Sequence, residues 1–161
     1  MEAAFGYQTD FGNLIICEED GSLTRVFRGD FPPESTQIAE TPLLREAFSQ
    51  LSEYFEGKRR EFDLPLNLKG TPFQQRVWQA VREIPYGQTA SYGLTAIAAG
   101  RPGAARAAGT AIGRNPLWII VPCHRVIAQD GGLGGYAGGL AMKKRLLLLE
   151  KGAREPKPPE L

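Results

Sequence analysis

The segment PCHRV places a cysteine next to the single histidine of the chain. A cysteine becomes nucleophilic when a nearby base or positive charge favours its thiolate, so Cys123 and His124 could form a reactive centre. Arg125 could add charge to it, or could equally be structural. In an extended segment His124 would need a water molecule, or a bend at Pro122, to reach the thiol. A basic histidine is usually held by a third group, and Glu150 is an available carboxylate. A Cys-His pair alone does not separate a catalytic thiol from a structural one.

Metal and disulfide chemistry have little support in the composition. Two cysteines 106 positions apart cannot form the disulfide framework of a small secreted domain, so Cys17 and Cys123 are expected to be free thiols in a reducing, cytoplasmic setting. Two cysteines and one histidine are too few for a zinc site, and we expect no metal and no organic cofactor. With no signal peptide and no apolar span of about 20 residues, no membrane partner is expected.

Charge is distributed unevenly along the chain. The formal net charge is +1, but residues 1–88 carry −5 and residues 89–151 carry +6. This asymmetry suggests that the second half binds a polyanion, although charges that fell unevenly by chance would look the same.

The first half has the pattern of a small sheet covered by a helix. NLIIC and LTRVF alternate apolar and polar residues around Asp20-Gly21, which predicts an antiparallel hairpin at the edge of a sheet. TPLLREAFSQLSEYFEG predicts a helix with Thr41 as its N-cap and Gly57 as its stop. REFDLPLNL predicts a further short strand, placed at an edge because Pro65 cannot donate to a ladder.

The second half is predicted to be mostly helical. TPFQQRVWQAVREIPYG predicts a helix that ends at Pro85 and has Phe73 on its apolar side. Two short helices joined by a glycine-containing turn follow, which predicts a helix-turn-helix. LWIIV predicts a buried strand or extended segment, and LAMKKRLLLLEKG a final helix. We place a structural domain at residues 1–69, a second domain at 70–152 and a disordered, proline-rich tail at 153–161.

The second helix of the helix-turn-helix has almost no side-chain bulk except for Arg106. It carries small residues around this cation, namely Ala104, Ala105, Ala107, Ala108 and Gly109. Such a helix suits close approach to a narrow groove, with phosphate contacts and one inserted side chain. Alanines packed against a core would leave the same pattern.

Taken together, these segments resemble the O6-alkylguanine-DNA alkyltransferase family. Six motifs occur in the family's order and at its spacing, namely GTPFQQRVW, IPYGQTASY, RPGAARAAG, RNP, IIVPCHRVI and GGYAGGLAMKKRLLLLE. The similarity covers most of residues 1–151. The resemblance implies an α+β fold. An N-terminal sheet-and-helix domain similar to ribonuclease H would precede a mostly helical domain that contains the helix-turn-helix.

The resemblance also implies catalytic roles. Cys123 corresponds to the alkyl acceptor, His124 to the base that withdraws its proton through a water, and Glu150 to the carboxylate that orients the histidine. Tyr92 corresponds to the tyrosine that donates to guanine N3. Asn115 corresponds to the asparagine that fixes the turn around the cysteine.

Other positions are implied to contact DNA or the target base. Arg106 matches the arginine that takes the place of the flipped-out guanine. The other expected DNA-binding residues are Ala104, Ala105, Ala107, Ala108, Arg125 and Ser91. The expected guanine pocket contains Tyr136, Ala137, Gly138, Val126 and Lys143. In it, the backbone carbonyls of Cys123 and Val126 would accept from the guanine amino group.

Two positions depart from the pattern of better-known members. Ala137 stands where some members have serine, so a contact made by the backbone N–H would survive and a hydroxyl contact would not. Trp118 stands where smaller residues or proline are common. Both differences bear on substrate range rather than on reaction type.

The implied function is single-use DNA repair. Cys123 would take the alkyl group from O6-alkylguanine after base flipping, and the resulting thioether cannot be hydrolysed. O4-alkylthymine stays open as a second substrate. The expected partner is double-stranded DNA containing alkylated guanine, bound by a monomer, with cooperative binding on DNA left open.

Three other classes of protein compete with this interpretation. An alkyltransferase-like protein that only binds alkylated DNA typically has tryptophan in place of the acceptor cysteine, so Cys123 argues against it. A cysteine hydrolase would leave Arg106 and the positive second half unexplained. A helix-turn-helix regulator would need base-reading side chains and usually a dimer surface.

Overall fold

The computed structural model describes residues 2–152 and has an α+β fold, as the resemblance implied. The chain forms two compact units. Of the described residues, one unit holds 2–70 together with Pro116–Ile120, and the other holds Thr71–Asn115 and 121–152. The predicted disordered tail lies outside the described residues. Within residues 2–152, no helix has both the length and the apolar character needed to cross a membrane.

The first unit is built on a four-stranded sheet in the order β3-β2-β1-β4. Its strands are β1 (Ala3–Thr9), β2 (Gly12–Glu19), β3 (Ser22–Arg28) and β4 (Gln37–Ile38). β1, β2 and β3 are antiparallel, and β4 runs parallel to β1. β2 buries the consecutive residues 14–17, so neither face of this central strand is open to solvent. Cys17 is therefore a core residue.

The β2–β3 turn is the one that the sequence predicted. Asp20 and Gly21 have φ angles of 53° and 80°, and a two-residue hairpin turn of this type needs left-handed backbone at both positions. β1, by contrast, was not predicted. Its residues include Ala3, Ala4 and Gly6, which give little apolar contrast along a strand.

Two segments predicted to be extended each contribute a single bridge to β3. In the first, Leu23 N donates to Pro65 O at 2.8 Å. In the second, Val26 N donates to Pro116 O at 2.8 Å. Both prolines lack the N–H that a longer ladder would require. The second segment thus packs in the first unit, whereas the predicted domain limits had placed it in the second.

Helix α1 (Pro42–Phe55) forms as its capping residues predict. The Thr41 hydroxyl accepts from Leu44 N at 3.2 Å, and proline occupies the first turn, where its missing N–H costs nothing. The helix packs against β1, β2 and β3. Its buried residues are Leu44, Ala47, Gln50, Leu51 and Tyr54.

The second unit is mostly helical. Its helices are α2 (Pro72–Arg82), α3 (Tyr92–Ala98), α4 (Ala105–Gly113) and α5 (Leu140–Glu150). Two short strands, β5 (Ala90–Ser91) and β6 (Val126–Ile127), pair in parallel. α3 and α4 form the predicted helix-turn-helix, and both pack on α2.

Trp78 anchors α2 to the second helix of the helix-turn-helix. Its indole is buried, and Nε1 donates to Ala111 O of α4 at 2.9 Å. The Thr71–Gln74 capping box begins α2, so this anchor lies on a well-capped helix.

We expect Trp78→Phe to lower the free energy of unfolding by about 1–3 kcal/mol, because it removes a buried hydrogen bond and leaves a cavity. Urea unfolding followed by far-ultraviolet circular dichroism measures the change. Gln79→Ala, on the exposed side of the same helix, should stay within about 0.5 kcal/mol of the parent. Equal losses for both variants would show that Trp78 is not an anchor.

Candidate active site and nucleic-acid interface

Cys123, His124 and Arg125 form one turn of 3₁₀ helix. The sequence had predicted an extended segment with a bend at Pro122. Instead, Cys123 N donates to Val121 O at 2.8 Å and Arg125 N donates to Pro122 O at 2.9 Å, which closes a tight turn. Neighbouring side chains on such a helix diverge by about 120°. All three side chains are buried, so each points into protein in a different direction.

The thiol of Cys123 is almost wholly removed from solvent. Burial raises its pKa to about 12, while a hydrogen bond from Asn115 and the charge of Lys143 oppose that shift. Cys123 is therefore a neutral thiol at pH 7. Asn115 also donates from Nδ2 to Val121 O at 3.0 Å, which ties the end of the helix-turn-helix to the backbone just before the cysteine.

Glu150, at the end of α5, receives four hydrogen bonds inside the second unit. Its Oε2 lies 2.5 Å from His124 Nε2. Arg125 donates to both carboxylate oxygens, from Nε at 2.7 Å and from Nη2 at 3.1 Å. The backbone N–H of Gly87 donates to Oε1 at 3.3 Å. A carboxylate held by a bidentate arginine stays ionised and only accepts, so Nε2 is the protonated nitrogen of His124.

The chemical consequence is a neutral imidazole with its basic nitrogen at Nδ1. Burial lowers the pKa of His124 below its ordinary value, and the Glu150 carboxylate opposes this shift without reversing it. Nδ1 is buried as well. His124 can therefore act as a general base at neutral pH.

Arg125 was predicted to bind DNA, and its position contradicts that. Its side chain is only 7% exposed, and Nη1 donates to Ile84 O at 2.8 Å. The guanidinium also lies over the Tyr86 ring, 5.6 Å from its centre. With these contacts and the bidentate pair to Glu150, Arg125 belongs to the support of the histidine.

Lys143 and Tyr92 both form hydrogen bonds with the backbone of Gly135. Lys143 is fully buried, and its Nζ donates to Val126 O at 2.6 Å and to Gly135 O at 2.9 Å. Burial lowers its pKa to about 8. The Tyr92 hydroxyl accepts from Gly135 N at 3.2 Å. The Val126 carbonyl, predicted to accept from guanine, thus already accepts from Lys143, and its second lone pair is the one left for a base.

Gly134 is a site residue that sequence reasoning missed. Its φ is 68°, and a β-carbon there would lie 2.7 Å from the Tyr92 hydroxyl. Only glycine allows this close approach of backbone to the tyrosine. The glycine run in the loop was the available signal, but it does not distinguish this position from its neighbours.

The other predicted pocket residues lie in the same loop, before α5. Tyr136 is half-buried with its hydroxyl enclosed, Ala137 is exposed and Gly138 is buried. Ser91 caps α3, with its hydroxyl accepting from Leu94 N at 3.0 Å, and so places Tyr92 at the first position of that helix.

Arg106 is exposed on α4, as a residue that enters DNA must be. Ala107 is also exposed, whereas Ala104 and Ala105 are half-buried. Ala108 is fully buried, so its prediction as a DNA contact is wrong, because it packs in the core. One turn after Arg106, a β-carbon at Gly109 would lie 3.5 Å from the Tyr92 ring. Residues three apart share a helix face, so Arg106 and Tyr92 lie on the same side of α4.

Comparison with known proteins identifies two matching family domains. Residues 72–152 match the DNA binding domain of 6-O-methylguanine DNA methyltransferase, and residues 6–68 match its ribonuclease-like domain. The constitutive methylated-DNA–protein-cysteine methyltransferase of Bacillus subtilis is 50% identical over 148 residues, which are 88% of this chain and 90% of the relative.

Solved structures give the same result. The crystal structure of Mycobacterium tuberculosis OGT in complex with DNA superposes with a TM-score of 0.88 at 44% identity, covering 94% of both chains. An O6-methylguanine DNA methyltransferase from Methanococcus jannaschii superposes with a TM-score of 0.68 at 29% identity, covering 91% of this chain and 92% of its own. The chain belongs to the 6-O-methylguanine DNA methyltransferase family.

Proposed function

We propose that this protein repairs DNA by moving the alkyl group of O6-alkylguanine irreversibly onto its own Cys123. The observation that carries the proposal is the buried thiol next to a histidine whose Nε2 is fixed on Glu150 at 2.5 Å. That arrangement supplies a nucleophile and a base in one turn of helix. The exposed Arg106 on the helix-turn-helix supplies the means of reaching a base in a duplex.

The chemistry starts with proton removal. Because the pKa of Cys123 is raised to about 12, its thiolate forms only when a base takes the proton during the reaction. His124 Nδ1 takes it through a water, and the imidazolium is stabilised by the Glu150 carboxylate. The sulfur then attacks the alkyl carbon in line, a carbon–sulfur bond forms and the carbon–O6 bond breaks.

The leaving guanine must gain one proton, which balances the one that Cys123 loses. Tyr92 donates a hydrogen bond to N3 as charge develops on the base, and its hydroxyl accepts from Gly135 N. The proton held by His124 is released to solvent, from which the guanine takes up its own. The product thioether has no leaving group that water could displace, so each protein molecule reacts once.

Access to the alkyl group requires that the guanine leave the base stack. O6 of a stacked guanine cannot line up with a thiol inside a protein pocket, so the base is extruded. Arg106 enters the duplex in its place, and the small side chains of Ala105 and Ala107 let the helix backbone come close to the groove.

The direct test is the intact mass of the protein after mixing with a duplex that contains O6-methylguanine. We expect a gain of one methyl group that maps to Cys123, with stoichiometric loss of the modified base. Cys123→Ser should abolish the gain, and Cys17→Ser should retain it because Cys17 lies in the sheet core. Tight binding of the duplex with no gain in mass would instead identify a protein that only recognises damage.

Arg106→Ala should slow methyl transfer from duplex DNA by about 100-fold. Base extrusion costs a few kcal/mol, and this substitution removes the group that offsets that cost. Reaction with free O6-benzylguanine needs no extrusion and should change little. Arg82→Ala removes the same charge from the exposed side of α2 and serves as the control. Equal loss on both substrates would show that Arg106 is structural.

In the pH–rate profile, the rate should fall at low pH as His124 becomes protonated, because only neutral His124 is a base. The charge of Arg125 lowers the pKa of His124, so Arg125→Met should shift this fall to higher pH by about one unit. Single-turnover rates with free O6-benzylguanine at a series of pH values measure this fall. Lys144→Met, an exposed charge change on α5, should leave it unmoved.

Arg125→Lys separates the charge effect from loss of structure. Because it keeps the positive charge, its rate should fall at the same pH as that of the parent. Loss of the two-point contact with Glu150 should lower the rate at every pH. A fall at the same pH for Arg125→Met and the parent would contradict the proposed control of His124.

A further inference from the structure

We infer that Arg101 and Arg76, gathered on the ring of Phe73, form a second phosphate-binding surface for duplex DNA beside the recognition helix. The inference rests on the proposed function for the identity of the polyanion. These three residues are called the Phe73 cluster below. None of them has a part in the alkyl transfer described above.

The cluster joins α2 to the turn of the helix-turn-helix. The guanidinium carbon of Arg101 lies 4.4 Å from the centre of the Phe73 ring, and that of Arg76 lies 5.9 Å from it. Arg76 Nε also donates to Ala99 O at 3.0 Å, at the end of α3. Two cations from different segments are therefore held over one ring.

Phe73 is not the core residue that the sequence predicted. It is half-buried, whereas Val77, Trp78 and Val81 of the same helix are buried. A partly exposed phenylalanine on a well-packed helix needs another reason for its position. Support of the two arginines supplies that reason.

Contact with the ring leaves the N–H groups of Arg101 available for a ligand. A cation–π contact such as the one with Phe73 uses no oxygen acceptor, so the guanidinium can still donate hydrogen bonds. Among residues 2–152, no carboxylate pairs with Arg101 and no acceptor is bonded by its side chain. The planar fork matches two oxygens of a phosphate, and the ring has already reduced the freedom that binding would otherwise remove.

The position of Arg101 points to the DNA backbone rather than to another anion. It lies in the turn that leads into α4, where Ala104 N donates to Arg101 O at 3.1 Å. In helix-turn-helix proteins the start of the recognition helix enters the groove, so residues just before it face the flanking backbone. Arg106, five positions later, would occupy the groove of the same duplex. The surrounding stretch 71–115 carries five arginines and one acidic residue, Glu83.

Salt dependence of binding to an unmodified duplex tests the cluster without any alkyl transfer. By fluorescence anisotropy, Arg101→Ala should raise Kd about 3- to 10-fold near physiological salt and reduce the slope of log K against log salt by about 1, the value of one lost phosphate contact. Arg82→Ala is the matched control, since it loses the same charge on the side of α2 opposite Phe73, and should change the slope by much less. Equal slopes for these two variants would overturn the inference.

Phe73→Leu tests the part played by the ring. It keeps every charge, so the slope should match the parent, while Kd rises about threefold because Arg101 is no longer held in place. Parent affinity in this variant would overturn the role of the ring. Circular dichroism establishes that each variant is folded.

The two proposals fail separately. Methyl transfer to Cys123 in the parent, together with equal salt slopes for Arg101→Ala and Arg82→Ala, would contradict only the DNA-binding role of the Phe73 cluster. If the parent never gains a methyl group but Arg101→Ala still reduces the salt slope, the alkyl transfer would be contradicted. The Phe73 cluster would then be supported as a DNA-binding surface.

Discussion

The carboxylate of Glu150 accepts hydrogen bonds from two separate parts of the helical unit, the 3₁₀ turn and Gly87, and the proposed chemistry of the site depends on it. It fixes Nε2 of His124, accepts from Nε and Nη2 of Arg125, and accepts from the N–H of Gly87. A buried anion is costly unless it is paired and fully hydrogen-bonded, and here the donors meet that need. The same contacts determine which nitrogen of the histidine is left to act as a base.

The elements around the site can be understood as the means of bringing these donors together. α2 ends just before Ile84, whose carbonyl holds the remaining side of the Arg125 guanidinium. The 3₁₀ turn presents histidine and arginine in sequence, and α5 ends on the carboxylate itself. Lys143, two turns before Glu150 on the same face of α5, donates to the Val126 carbonyl and to the Gly135 carbonyl in the loop that contacts Tyr92. The proposed base and the loop beside the proposed hydrogen-bond donor to guanine are thus both held from one helix.

How far the sequence predicts this structure depends on whether the cause is local. The hairpin at Asp20-Gly21 and the helices that begin at Thr41 and Thr71 were predicted because turn chemistry and capping act within a few residues. Residue chemistry offered Glu150 as an available partner of His124, but only the family resemblance assigned it that role, since nothing local connects residues 26 apart. The structure brings the two into contact.

Three predictions are wrong for one reason, which is that residue type does not report burial. Arg125 was expected to contact DNA through the family resemblance, yet its charge is used inside the protein. Ala108 was placed on the recognition surface but packs in the core, and Phe73 was placed in the core but supports arginines at the surface. The extended segment around Cys123 became a 3₁₀ turn through contacts with Val121 and Pro122 that no periodicity reveals.

The most direct test of this account is the protonation state of His124 in the native protein. Because the chain has one histidine, nitrogen-15 labelling of untagged protein gives a single pair of ring signals. We expect a proton on Nε2, none on Nδ1, and no conversion to imidazolium until the pH falls below the ordinary histidine value of about 6.5. A proton on Nδ1, or an imidazolium at neutral pH, would contradict it.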